Sequence, residues 1–414
     1  MNAEIIAVGS EMLTPYRQDT NSLYLTEKFN ALGVTVAYKT IVGDRLKQLT
    51  DAVRHALSRV DIVAITGGLG PTEDDLTREA TAAALGVPIK RDPDMIAHLY
   101  TRAASRRVTM TRNNEKQADV IEGATILPNV VGSAPGQWLD TVVGVHRKLA
   151  MLLPGPPHEM KAMFEAECLP RLAEIVPKRH MATRVLKAAM IGESAADARI
   201  APIYTQYKDV ETTILAHLGD IELRLQCTKH LPEVAQARVD DLAGKIEEEL
   251  DDFIYSSQGE TLEQIILYYL EMRGATLAVA ESCTGGMVAE RLTSVSGSSR
   301  SFVGGAVVYS NRLKTELAGV DAALITKHGA VSREVAEALA EGIRECCGAT
   351  LGLGVTGIAG PSGGSDEKPV GLVYLAVSDA DGTEVVEKRF PSDRAGIRFY
   401  ASQQALDMVR RRLM

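Results

Sequence analysis

Two candidate nucleophiles stand side by side in LAVAESCTGGMVAE, residues 277–290: Ser282 and Cys283 follow an apolar run and precede Thr284-Gly285-Gly286. A serine hydroxyl is inert at its own pKa and needs a neighbouring base. Two further segments carry complementary groups: YSNRLK holds Tyr309 and Lys314, and VTGIAGPSGG holds Thr356 and Gly357. A lysine desolvated in a cleft titrates low enough to act as general base, and a tyrosine hydroxyl can donate to a developing oxyanion. Glycines let a backbone approach a phosphate or oxyanion, and Thr284 and Thr356 add hydroxyl donors. A Ser–Lys pair suits acyl transfer, meaning hydrolysis of an amide or ester, with no cofactor.

The same residues have plainer readings. Ser282 or Thr284 can simply cap the following helix. Lys314 can be a solvated surface lysine, Tyr309 a core residue, and Cys283 a small buried hydrophobe. If the strand runs on through Ser282, Cys283 points the other way, into the sheet–helix interface. His328, in TKHGAVS, reads as a surface turn residue.

A second constellation lies near the start. TGGLGPTEDDLTRE (66–79) joins a glycine-rich turn to a run of acids at a strand end. Its amides suit phosphates, while Asp74 or Asp75 suits a divalent ion held through one or two carboxylates. VGSE, VGD with Asp44, and PGPPHEMK would share the same rim. The alternative is structural: Thr72-Glu73-Asp74-Asp75 also has the form of a capping box opening the next helix.

These loops need strands to carry them. From Glu4 to about Leu172, EIIAVG, VTVAYKTIVG, DIVAITGG and LAMLLPG read as strands buried on both faces. Helical stretches stopped by Gly33 and Gly86 alternate with them, which predicts a mainly parallel sheet with helices on both faces. Residues 180–256 change rhythm: a strand, a helix, a hairpin turning at Gly219-Asp220 and a long acidic helix make a small α+β domain. YSSQGET (255–261) reads as the linker out of it, and alternation returns from residue 262 onward. The expected domains are therefore 1–172, 180–256 and 260–414.

Composition agrees with a multidomain globular chain of 414 residues, 45% hydrophobic and 24% charged. A net charge of −9 speaks against general nucleic-acid binding, no run is long enough to span a membrane, and a cytoplasmic location is expected. Five cysteines without a CxxC pair speak against zinc, and adjacent Cys346 and Cys347 are expected as buried thiols facing opposite environments.

Four motifs in order, AESCTGG, VVYSNRLK, GVTGIAGPSGG with KPVGLVYLAV, and a C-terminal DR, resemble the CinA (competence/damage-inducible protein A) family. The resemblance implies a C-terminal nicotinamide-nucleotide amidase domain with Ser282 as nucleophile and Tyr309 and Lys314 as its catalytic partners. It places Thr284, Gly285, Gly286, Thr356, Gly357 and Arg394 at the substrate, with Arg394 on a phosphate. Ser392 stands where that family usually has glycine. TGGLGPTEDDLT resembles the MogA/MoeA-like molybdopterin-binding fold, a three-layer domain. In CinA proteins it is associated with metal-dependent ADP-ribose pyrophosphatase activity, which implies a divalent ion at Asp44, Asp74 and Asp75. Thr14-Pro15-Tyr16 departs from the family's usual glycine-bearing loop. The middle segment resembles the family's KH-like insert, but IGESAADAR lacks a GxxG loop, so scaffolding or subunit contact is expected. Small-molecule nucleotide substrates and a homodimer complete the expectation. A pterin-cofactor protein with a degenerate amidase domain, or a noncatalytic competence or DNA-damage adaptor, are the alternatives.

Overall fold

The computed structural model describes residues 1–105 and 109–414. Two compact units emerge: 1–181 with 228–235, and 182–227 with 236–414.

In the first unit a six-stranded sheet runs in the order Thr35–Val42, Asn2–Val8, Ile62–Thr66, His146–Leu153, Gly136–Val143, Thr125–Leu127. The first four are parallel and the last two antiparallel. Alternation along each strand sends its side chains to two separate cores. Ile5, Ala64 and Met151 meet Leu25, Phe29 and Phe164 on one face. Ile6, Ile65 and Leu152 meet Leu49, Val53 and Leu57 on the other. This is the expected three-layer arrangement. One strand departs from expectation: Thr35–Val42 lies at the sheet edge and is largely exposed, because only Asn2–Val8 pairs with it.

In the second unit the middle segment forms a four-stranded sheet, in the order Val210–His217, Asp220–Lys229, His180–Ala189, Ile254–Ser256. The register pairs His217 with Asp220, so the hairpin turns at Leu218-Gly219, one residue earlier than the sequence suggested. The expected linker is also corrected at its start. Tyr255 and Ser256 belong to the last strand of this sheet, and Tyr255 joins the core of the C-terminal segment together with Ala189. Arg410 of the last helix donates to the Asp252 carbonyl at 2.6 Å, a further tie between the two segments.

The C-terminal segment has a five-stranded sheet, ordered Phe302–Val307, Leu277–Glu281, Leu351–Gly357, Leu372–Asp379, Gly382–Arg389. The first three are parallel, the rest antiparallel. Helices Leu262–Met272 and Arg394–Arg412 cover one face; Asn311–Ala318 and Arg333–Cys347 cover the other. The alternation in LGLGVTG has a packing cause. A Cβ at Gly352 would fall 2.0 Å from the Ala340 carbonyl oxygen, and one at Gly354 2.5 Å from that of Ala336. Only glycine lets helix Arg333–Cys347 lie so close to the central strand. That helix buries its face through Ile343, which leaves Cys346 and Cys347 both exposed and corrects the expectation of buried thiols. Among the described residues no helix is long and apolar enough to cross a membrane.

Candidate active site

Parallel pairing brings three strand ends to one edge: Glu281 is opposite Val307 on one side and Val355 on the other. The backbone continues this alignment past the strand, since the Ser282 amide donates to the Val355 carbonyl at 2.9 Å. Ser282 is thereby presented beside Tyr309 and Thr356, which follow or end the neighbouring strands. Lys314 comes from helix Asn311–Ala318, whose first turn is capped by the Ser310 hydroxyl. One turn in, its side chain reaches back under the sheet edge.

Lys314 is 2% exposed, so it is not the solvated surface lysine of the plainer reading. Its Nζ lies 3.1 Å from Ser282 Oγ and donates to the Val308 carbonyl at 2.7 Å. Burial pushes its pKa below the ordinary lysine value. A cavity of about 220 Å³ opens on this pair, with Tyr309, Thr356, Gly357 and Arg394 in its wall. Tyr309 is exposed and not core. Its hydroxyl accepts a hydrogen bond from Arg394 Nη2 at 3.0 Å, which leaves the phenolic proton free to donate. Thr356 spends its hydroxyl proton on the Ala330 carbonyl at 2.7 Å, so toward the cavity it can only accept.

Cys283 touches this cavity but is buried in the core between sheet and helices. Burial pushes its thiol up to about 12, where it stays protonated at neutral pH. The two neighbours thus have opposite characters: a serine beside an amine whose pKa burial lowers, and a thiol that burial keeps protonated at neutral pH.

Thr284, Gly285 and Gly286 are not part of that cavity wall. The reason is Glu281, a residue the sequence reading passed over. Its buried carboxylate accepts from the amides of Gly286 at 2.9 Å, Val288 at 3.1 Å and Ala289 at 2.8 Å. The helix-start amides that a substrate anion would use are therefore taken by the protein's own carboxylate. Thr284 is fully buried with its hydroxyl unpartnered, and its carbonyl accepts from Arg398. A carboxylate directly before the nucleophile was the available signal, because an acid there can cap the helix that the nucleophile's turn opens.

In the first unit, Asp44, Asp74 and Asp75 line one cavity of about 330 Å³ with Gly68, Gly70 and Glu11. The loop is fixed from behind. Thr77 bonds the carbonyls of Gly67 and Gly68, and the fully buried Arg78 bonds those of Leu69 and Gly70. These bonds hold four successive carbonyls of a loop whose residues line the cavity, a setting suited to phosphate oxygens. The carboxylates have other duties: Asp44 accepts from the Ser10 amide at 2.7 Å, and Asp75 from that of Thr72 at 2.9 Å. The Thr72–Asp75 bond closes a turn without opening a helix, which starts only at Thr77. Among the described residues no three acidic, histidine or cysteine side chains are grouped to hold a metal ion. Asp44, Asp74 and Asp75 share a rim but do not form the expected ligand set.

Residues 259–413 match the description CinA C-terminal domain. Residues 183–256 match the damage-inducible protein CinA KH domain, and residues 4–174 a probable molybdopterin binding domain. A CinA-like protein of Acidobacterium capsulatum is 72% identical over 414 residues, covering all of both chains. One of Koribacter versatilis is 58% identical over the same length. Among solved structures, a competence/damage inducible protein from Agrobacterium tumefaciens is 40% identical, covering 36% of this chain and 90% of its own, with a TM-score of 0.34. By full-length identity and by all three of its domains, the chain belongs to the CinA family.

Proposed function

We propose that this chain hydrolyses the carboxamide of nicotinamide mononucleotide to nicotinate mononucleotide and ammonia. The observation that carries the reading is the buried Lys314 amine 3.1 Å from Ser282 Oγ at the floor of a cavity whose rim bears Arg394. Neutral Lys314 takes the hydroxyl proton as Ser282 Oγ attacks the carboxamide carbon. Tyr309, whose oxygen accepts from Arg394, donates to the oxyanion of the tetrahedral intermediate. The lysine returns its proton to the departing nitrogen, and ammonia leaves an acyl-serine. Water, deprotonated by the same amine, then attacks the acyl carbon; the ester bond breaks, the lysine returns that proton to Ser282 Oγ, and the carboxylate leaves. Glu281 makes the helix start beside Ser282 unfavourable for a phosphate, so the mononucleotide's phosphate points the other way, toward Arg394.

The test is direct. Purified protein is incubated with nicotinamide mononucleotide, and ammonia and nicotinate mononucleotide are measured. One-to-one formation of both supports the reading; neither product from folded protein refutes it.

The same reading assigns an ADP-ribose pyrophosphatase activity to the cavity of the first unit. The glycine loop in its wall supports a phosphate ligand there, and among the described residues no three acidic, histidine or cysteine side chains are grouped to hold a metal ion without it.

A further inference from the structure

Past Arg394 the catalytic cavity adjoins a wider one of about 680 Å³, walled by Pro361, Val370, Asp393 and Arg398, with Ala359 and Arg394 common to both. Arg394 and Arg398 sit four residues apart in helix Arg394–Arg412, on one face and one turn apart. Their hydrogen-bond partners among the described residues are neutral oxygens. Arg394 Nη1 donates to the Gly360 carbonyl at 2.7 Å and Nη2 to the Tyr309 hydroxyl at 3.0 Å. Arg398 donates to the Thr284 carbonyl from Nε at 3.2 Å and from Nη2 at 2.7 Å. Asp393, the acid in the same wall, accepts from the Gly396 amide as the helix cap. Two guanidiniums with neutral partners beside an open cavity suit a dianion.

Those partners also tie the cavity to the chemistry. Thr284 lies two residues beyond Ser282, Tyr309 supplies the proposed oxyanion donor, and Gly360 belongs to the loop that follows Thr356. Each of the three loops around the nucleophile is held by one of these two arginines.

We propose that the outer cavity binds the substrate's phosphate dianion between Arg394 and Arg398, and that its occupancy sets the Ser282 turn for attack through Arg398. This rests on the amidase reading above and adds a second phosphate ligand with a positioning role. A dianion offsets the repulsion between the two guanidiniums and fixes them at their loop contacts. Binding energy released far from the carboxamide is then expressed in turnover as well as in affinity.

The experiment divides the substrate into two pieces. Nicotinamide riboside supplies the amide, and inorganic phosphite supplies the dianion without a covalent link. Phosphite is expected to accelerate ammonia release from the riboside saturably, by about tenfold or more, within the range for coupled sites. It should compete with the mononucleotide. Arg398→Met should abolish the acceleration, and Arg398→Lys, which keeps the charge without the fork, should restore part of it. Unchanged or slower riboside turnover with phosphite, in wild-type protein that hydrolyses the mononucleotide, overturns the proposal without any variant. If the mononucleotide itself is not hydrolysed, the amidase reading fails, and the subsite is judged on Ser282 alone. The rate at which a small fluorophosphonate labels Ser282 is then measured with and without phosphite. Acceleration that Arg398→Met removes supports the subsite; no effect of phosphite overturns it.

Discussion

Replacing Lys314 with methionine removes the amine while keeping the length and apolar stem of the side chain. The amine has two contacts to lose, 3.1 Å to Ser282 Oγ and 2.7 Å to the Val308 carbonyl. As general base it should contribute roughly 10²–10⁴-fold, so the variant's kcat should fall by that factor, about 2.7–5.5 kcal/mol of barrier. Only the neutral amine accepts the serine proton, and burial lowers its pKa. The wild-type rate should therefore rise with pH through that lowered pKa and then level off, and the variant should lack this limb. Stability changes in the same direction. Between the lowered pKa and the ordinary lysine value, the unfolded chain holds a proton that the native chain has released, so wild-type stability rises with pH across that window. Below it the native protein carries a buried charge that the methionine variant lacks. Against that, the orphaned Val308 carbonyl costs the variant about 1 kcal/mol. Ammonia release across pH, with thermal midpoints at both ends of the range, measures both effects. A variant that keeps about a tenth of wild-type turnover or more, or that keeps the same pH limb, refutes the lysine's role.

Ser282→Ala should abolish ammonia release, whereas Cys283→Ala should keep most of it at some cost in thermal midpoint, because the thiol packs in the core; the reverse pattern would exclude the serine route. Glu281→Gln sets an amide group against three backbone donors, and misplacing the Ser282 turn should lower kcat by up to about 100-fold with little change in KM; an unaltered kcat in folded protein would show that the cap does not position the nucleophile. Asp75→Ala should loosen the Thr72 turn by about 1 kcal/mol and leave amidase turnover unchanged, since Asp75 and Ser282 lie in separate units; a parallel loss of turnover would contradict that independence.

What the sequence made legible follows from where its signal is local. Apolar runs such as LAVA and IVAI announce buried strands because their side chains alternate between two cores, and glycine-bearing segments beyond them announce turns. Thr35–Val42 is likewise rich in β-branched residues but sits at an edge, and position in the sheet is set by partners far along the chain. Strands Thr125–Leu127 and Gly136–Val143 had no local signature either; the second owes its place to Trp138 and Leu139 pairing with Met151 and Ala150.

The candidate site divides in the same way. Ser282, Tyr309, Lys314 and Thr356 were visible because each falls at a strand end or one turn beyond, and parallel pairing makes such ends converge. The glycine-rich turn by itself looks the same whether its amides await a substrate or are already satisfied, and the acid immediately before Ser282 was the one local signal of the second case. Glu281 decides the matter by pointing to the opposite side of its strand from Ser282, where it satisfies three of those amides. With that anion position filled, the proposed phosphate contacts fall on the last helix, more than 100 residues from Ser282 in sequence. The resemblance to the CinA family could name Arg394 as a phosphate ligand, but only the packing of helix Arg394–Arg412 against the first loop brings Arg398 to the carbonyl of Thr284. The same helix thus carries both the charge that the proposed recognition uses and the contact that ties down the Ser282 turn.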